Sequence, residues 1–105
     1  MTRKNTLITK TLAAQFARIG DQRDVKDPIL VAKFFNPTGI GTWYAIAYYP
    51  EDNTCFGFVS HFEDELGYFS IKELESLRVP PFDLAIERDL YFTPCRLSEV
   101  KAKKP

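Results

Sequence analysis

The sequence predicts an α+β domain: an antiparallel sheet of three to five strands, a helix over residues 10–19 against one face, and a short helix over 71–77 at an edge or on the other face. Three observations predict it. Residues 27–62 hold three β-rich runs separated by two turns, and connections that short join antiparallel neighbours. Two other segments carry apolar residues at helical spacing behind capping residues. The 105 residues are 45% hydrophobic with a mean hydropathy of −0.23, which suits one globular domain with a single core.

Taken in order, residues 1–8 read as a frayed polar arm. Thr9 or Thr11 can cap a helix in which Leu12, Phe16 and Ile19 recur at helical spacing, and Gly20 sits where a helix stops. The charged loop 21–27 ends at Pro28, which bars a helix from continuing. The first run covers 29–35. Asn36-Pro37-Thr38-Gly39-Ile40-Gly41 is a turn by composition, Thr42–Tyr49 the second run, Pro50-Glu51-Asp52-Asn53 the second turn, and 55–62 the third run. Residues 63–67 read as an acidic loop, followed by a short strand at Tyr68 and Phe69. Ser70 and Glu73 have the spacing of a capping box, ahead of an apolar stripe of Ile71, Leu74 and Leu77. Val79-Pro80-Pro81 ends this helix, 82–92 fit a strand or a short helix equally, and 97–100 fit a helical turn before a frayed basic tail at 101–105.

A sheet with one wet face alternates apolar and polar residues, and these runs do not. In the second, Trp43, Ala45, Ala47 and Tyr49 point one way and Tyr44, Ile46 and Tyr48 the other. In the third, Phe56, Phe58 and Phe62 oppose Cys55, Gly57 and Val59. A sheet apolar on both faces is covered twice, or leaves an aromatic surface for a partner. Ala45 and Ala47 suit a closely docked helix, and Tyr44 and Tyr48 would turn their hydroxyls to water or a ligand.

Lysines and arginines number 14, as do acids, so no global field steers the chain toward nucleic acid or a membrane. The charge is unevenly placed. Residues 1–49 hold seven basic and three acidic groups, 50–90 three and ten, and 91–105 four and one. The middle block therefore carries −7 between basic ends. Two cysteines, Cys55 and Cys95, make no disulfide framework, no secretory apolar region opens the chain, and the longest apolar run cannot span a bilayer. A cytoplasmic protein with reduced thiols is the expectation.

Candidate chemistry is sparse. Phe56-Gly57-Phe58-Val59 reproduces the middle of an RNA-recognition strand motif whose aromatics stack on bases. Thr54, Cys55 and His61 depart from that motif at its other positions. Cys55 and His61 lie about 20 Å apart in an extended run, at ~3.3 Å per residue, too far for a nucleophilic pair. One histidine and two distant cysteines make no zinc site; His61 with Asp64 or Glu65 is the remaining polar cluster. Gly39-Ile40-Gly41-Thr42 lacks the lysine and following helix of a phosphate loop.

The run DPILVAKFFNPTGIGTWYAIAYYPED, with FGFVS, ELGYFSIKELES and IERDLYF after it, resembles a bacterial family catalogued as domain of unknown function 2958, over about residues 7–100. The resemblance implies a small cytoplasmic protein associated with plasmids, integrative elements or phages. It implies no activity, cofactor or catalytic residue.

The leading expectation is a non-enzymatic module that binds a protein partner through the aromatics Tyr44, Tyr48, Phe56 and Phe58, the His61, Asp64 and Glu65 cluster, and the acidic 51–65 region. No cofactor, metal or membrane is expected, and a homodimer is open. The alternatives are single-stranded nucleic-acid binding through sheet aromatics and a small enzyme centred on His61.

Overall fold

A computed structural model describes residues 5–103. The chain is α+β. Helix α1 (Lys10–Ile19) starts where the Thr9 hydroxyl accepts the Leu12 amide at 3.2 Å, and it stops at Gly20, whose φ of +85° few side chains tolerate. The first run divides at Val31 into β1 (Ile29–Leu30) and β2 (Ala32–Phe35). Strands β3 (Thr42–Tyr49), β4 (Thr54–Ser60) and β5 (Asp64–Ser70) form a meander. Helix α2 (Ile71–Ser76) follows directly, with the Ser70 hydroxyl accepting the Glu73 amide at 3.2 Å. Short strands β6 (Arg78–Val79), β7 (Leu84–Ala85), β8 (Glu87–Arg88) and β9 (Cys95–Arg96) lead to helix α3 (Leu97–Lys103).

The main sheet has the order β5-β4-β3-β2-β8, all antiparallel. Two minor antiparallel pairs stand apart from it: β1–β9 ties the later chain back to the first run, and β6–β7 forms a hairpin after α2. One sheet face is sealed. There α1, α2, the segment from Leu7 and the loop at Ile86 bury Leu12, Phe16, Phe34, Ala45, Cys55, Ile71 and Leu74 in one cluster. The other face carries a smaller cluster of Leu30, Ile46, Phe58 and Leu97, with Tyr44, Phe56, Phe92 and Val100 half-buried around it.

A β-bulge in β3 decides which residue goes to which face. Ala45 pairs with Gly57 and Ala47 with Phe56, so Ile46 is an extra residue and the alternation resets after it. The bulge accounts for two residues. Gly57 lies so close to the Tyr44 carbonyl that a β-carbon there would collide with it. Gln22, buried at 5% exposure, donates from Nε2 to the carbonyls of Ile29 (2.8 Å) and Ile46 (2.9 Å), while its Oε1 accepts the Ile29 amide. It thus closes the backbone groups that the bulge and the departing β1 leave unpaired.

Several expectations change, and one left open is decided. Tyr48 is not on the face of Tyr44: the bulge turns it to the sealed side, where its ring lies 5.9 Å from that of Phe16 and its hydroxyl donates to Asn53. Residues 64–70 are a full strand, because seven successive pairs with β4 satisfy a segment whose acids made it look like a loop. The third strand ends at Ser60, leaving Phe62 in the connection, 82% exposed. Residues 82–92 hold the short strands β7 and β8 and no helix. The expected arm 1–8 lies partly outside the described residues. Within them, Leu7 is buried, its amide donates to Glu75 Oε2, and the Asn5 side chain donates to the Ile86 carbonyl. At the other end, 101–103 complete α3, and 104–105 lie outside the described residues.

Candidate functional site

The half-covered face owes its shape to how α3 is attached. Asp27 accepts from the Ser98 amide (2.9 Å) and hydroxyl (2.7 Å), and the Leu97 amide donates to the Pro28 carbonyl. Those Ser98 bonds hold the Asp27 carboxyl below its ordinary pKa. Leu97 and Val100 drop onto the smaller core, but α3 is seven residues long and covers only part of the face. A cleft of about 560 Å³ remains between α3, residues 89–95 and the sheet.

Lys33 and Tyr44, cross-strand partners in β2 and β3, lie on the sheet side of the cleft. Phe92, Pro94 and Cys95 line one side, and Glu99, Val100 and Lys103 of α3 the other. The rings of Tyr44 and Phe92 stand 5.9 Å apart at 55°, an aromatic corner of ordinary geometry. Lys33 Nζ lies 5.9 Å from the Tyr44 ring centre and 3.7 Å from Asp89 Oδ2. Asp89 also accepts the Tyr91 amide, and its own amide donates to the Lys33 carbonyl, so one acid organises the loop and the lysine together. Burial, with Cys95, Asp89 and Asp64 adding to it, raises the Tyr44 hydroxyl above its usual pKa; it stays protonated and able to donate. Burial likewise raises the Cys95 thiol, which is not an activated nucleophile. Glu99, which accepts the Arg96 amide, and Lys103 bring one charge of each sign to the α3 side of the cleft. The cleft is aromatic, half-open and nearly neutral.

The residues singled out in the sequence separate into three places. Tyr44 lies in the cleft. Phe56 and Phe58 share its face but are largely covered: Phe58 is 3% exposed, with Lys101 Nζ 5.6 Å above its ring, and Phe56 lies beside Tyr68 at 5.2 Å. Tyr48 belongs to the sealed core. His61, Asp64 and Glu65 sit at the β4–β5 connection, exposed, and none of them lines the cleft. The His61 ring meets Phe62 edge-on at 4.5 Å, and Asp64 accepts the Ser60 hydroxyl. Among the described residues no three His, Cys, Asp or Glu side chains are grouped to hold a metal ion. Cys55 and Cys95 are free thiols, and burial pushes Cys55 up to about 12. Among the described residues no helix is long and apolar enough to cross a membrane.

Sequence reasoning missed Lys33, Asp89, Phe92 and Glu99 as one group, since they come from three separated segments.

The fold is thus a small α+β sheet with an aromatic cleft on its half-covered face. The chain belongs to the family described as protein of unknown function (DUF2958), whose model matches residues 7–103, nearly its whole length. No curated protein and no solved structure matches it.

Proposed function

We propose that this protein is a non-enzymatic interaction module that takes a basic segment of a partner protein, seating an apolar anchor side chain in the cleft beside Tyr44. The observation that carries this reading is the concavity of about 560 Å³ on the one sheet face left half-covered. Its size is that of a pocket for a compact ligand or an anchor side chain, and its aromatic lining with a few polar groups suits an anchored apolar group. The charge of the anchor's flanks follows from the surroundings. In the cleft Lys33 pairs with Asp89, whereas Glu51 and Asp52, beside Arg23, stand in the turn at one end of β4, and Glu63 and Asp64 at the connection at its other end. Clusters of one sign favour a partner of the opposite sign. Those same acids disfavour the nucleic-acid reading, as does the burial of Phe58, the ring a base would need. The His61 reading lacks a cleft lined by that residue.

In this reading the protein acts in the cytoplasm as an accessory factor carried by a mobile element, as its resemblance implies. Selection from a displayed peptide library tests the module. Enriched peptides are expected to carry one aromatic or long aliphatic residue flanked by lysine or arginine. Their binding should weaken about tenfold or more in Val100→Arg, which fills the cleft while leaving the sealed core untouched. Peptides without an anchor, or equal binding by the variant, would sink the proposal.

A further inference from the structure

The two edges of the main sheet are unlike. At one, β8 is two residues long, the usual way of blunting an edge. At the other, β5 runs for seven residues in unbroken register with β4, and among the described residues no strand pairs with its outer side. It has no proline, lysine or bulge, and its two charges, Asp64 and Glu65, stand at its first two positions, leaving 66–70 without such a guard. On the half-covered face, Leu66 (49% exposed) and Tyr68 (59% exposed) project from it, beside Phe56.

We infer that β5 pairs with β5 of a second copy of this chain, antiparallel about a two-fold axis at Gly67, joining two sheets into one. The register is read from the strand itself. A two-fold axis perpendicular to the sheet keeps each residue on its own face, and placing it at the strand's midpoint, Gly67, pairs all seven residues. Leu66 then lies opposite Tyr68 of the other copy, so four apolar side chains meet on the half-covered face. On the sealed side Glu65 lies opposite Phe69, and Gly67 opposite its own copy.

Charge supports this register. Asp64 falls opposite Ser70, next to Lys72. The two Asp64 residues stand six positions apart along the pair, about 20 Å at ~3.3 Å per residue, beyond a Debye length. An axis at Glu65 would instead oppose two like charges. A two-fold contact of one strand per copy falls below the ~1,200 Å² of a standard stable interface, so the dimer is a weak one, with dissociation in the micromolar range. It leaves the cleft free, since Tyr44 lies two strands away from β5; its fate is independent of the binding reading above.

Two measurements test it. Sedimentation of the full chain across concentration should show a monomer–dimer equilibrium, weakened about tenfold or more by Leu66→Lys, which removes both copies of the Leu–Tyr pair. In a Cys95→Ser background under mild oxidation, Gly67→Cys should cross-link as a dimer, because it lies on the axis and a β-carbon there meets nothing within 4 Å. Asp64→Cys, about 20 Å from its mate by the same rise, should not. A chain monomeric at hundreds of micromolar overturns the inference. So does a dimer that Asp64→Cys cross-links and Gly67→Cys does not.

Discussion

One face of the sheet is closed by α1, α2 and the segment from Leu7. The other is crossed by α3 and residues 89–95, with Leu30 of β1 beneath them. Both faces are supplied by strands of similar aromatic content, so apolar composition does not separate them. The covering elements do. On the sealed side, two helices and an N-terminal segment converge on small residues such as Ala45, and the rings of Phe16 and Tyr48 fill what remains. On the other, a seven-residue helix tethered at its start by Asp27 and the Pro28 carbonyl leaves Tyr44 and its neighbours at a cleft.

The largest effect should come from breaking the sealed side. Phe16→Ala, at 3% exposure beneath the helix, is expected to cost about 3–5 kcal/mol, whereas Tyr68→Ala on the other face should stay within ~0.5 kcal/mol. Urea denaturation measures both, and equal losses would erase the contrast between faces. Next comes the bulge that sorts side chains between them. Gly57→Ala forces a β-carbon toward the Tyr44 carbonyl and should destabilise by about 1–3 kcal/mol. It should also disturb the environment of Tyr44, read by the ring resonances; an unperturbed ring would mean the bulge absorbs the change.

The smallest effect concerns the tether of α3. Because the folded Asp27 carboxyl sits below its ordinary pKa, its contribution is present above about pH 4–5. It is lost as pH falls through that lower folded value. Amide exchange at Ser98, corrected for intrinsic rate, should speed up on acidification, and Asp27→Asn should remove that pH dependence. A variant that retains it would place the titrating group elsewhere.

How far the sequence reached is clearest at the strands. Helix α1 was legible to the residue, because Thr9, the Leu12–Phe16 spacing and Gly20 are local signals. So were β3 and the Ser70 cap of α2. The strand nature of 64–67 was not, since its acids are poor strand formers and only pairing with β4 overrides that preference. Of the expected site residues, Tyr44 reaches the cleft because it precedes the bulge, and Tyr48 misses that face because it follows it.

By itself the sequence determined α1, the antiparallel succession of the meander and the cap of α2, carried by periodicity, caps and turns within a few residues; the family rested on resemblance along nearly the whole chain. Only the tertiary structure decided which face each aromatic serves. It also decided what covers the second face, and that β5 stands at an open edge. Those outcomes turn on one extra residue at Ile46, on Gln22 reaching two separate carbonyls, and on Asp27 holding a helix 71 residues further along the chain. Contacts of that span leave no periodic trace in the residues that make them.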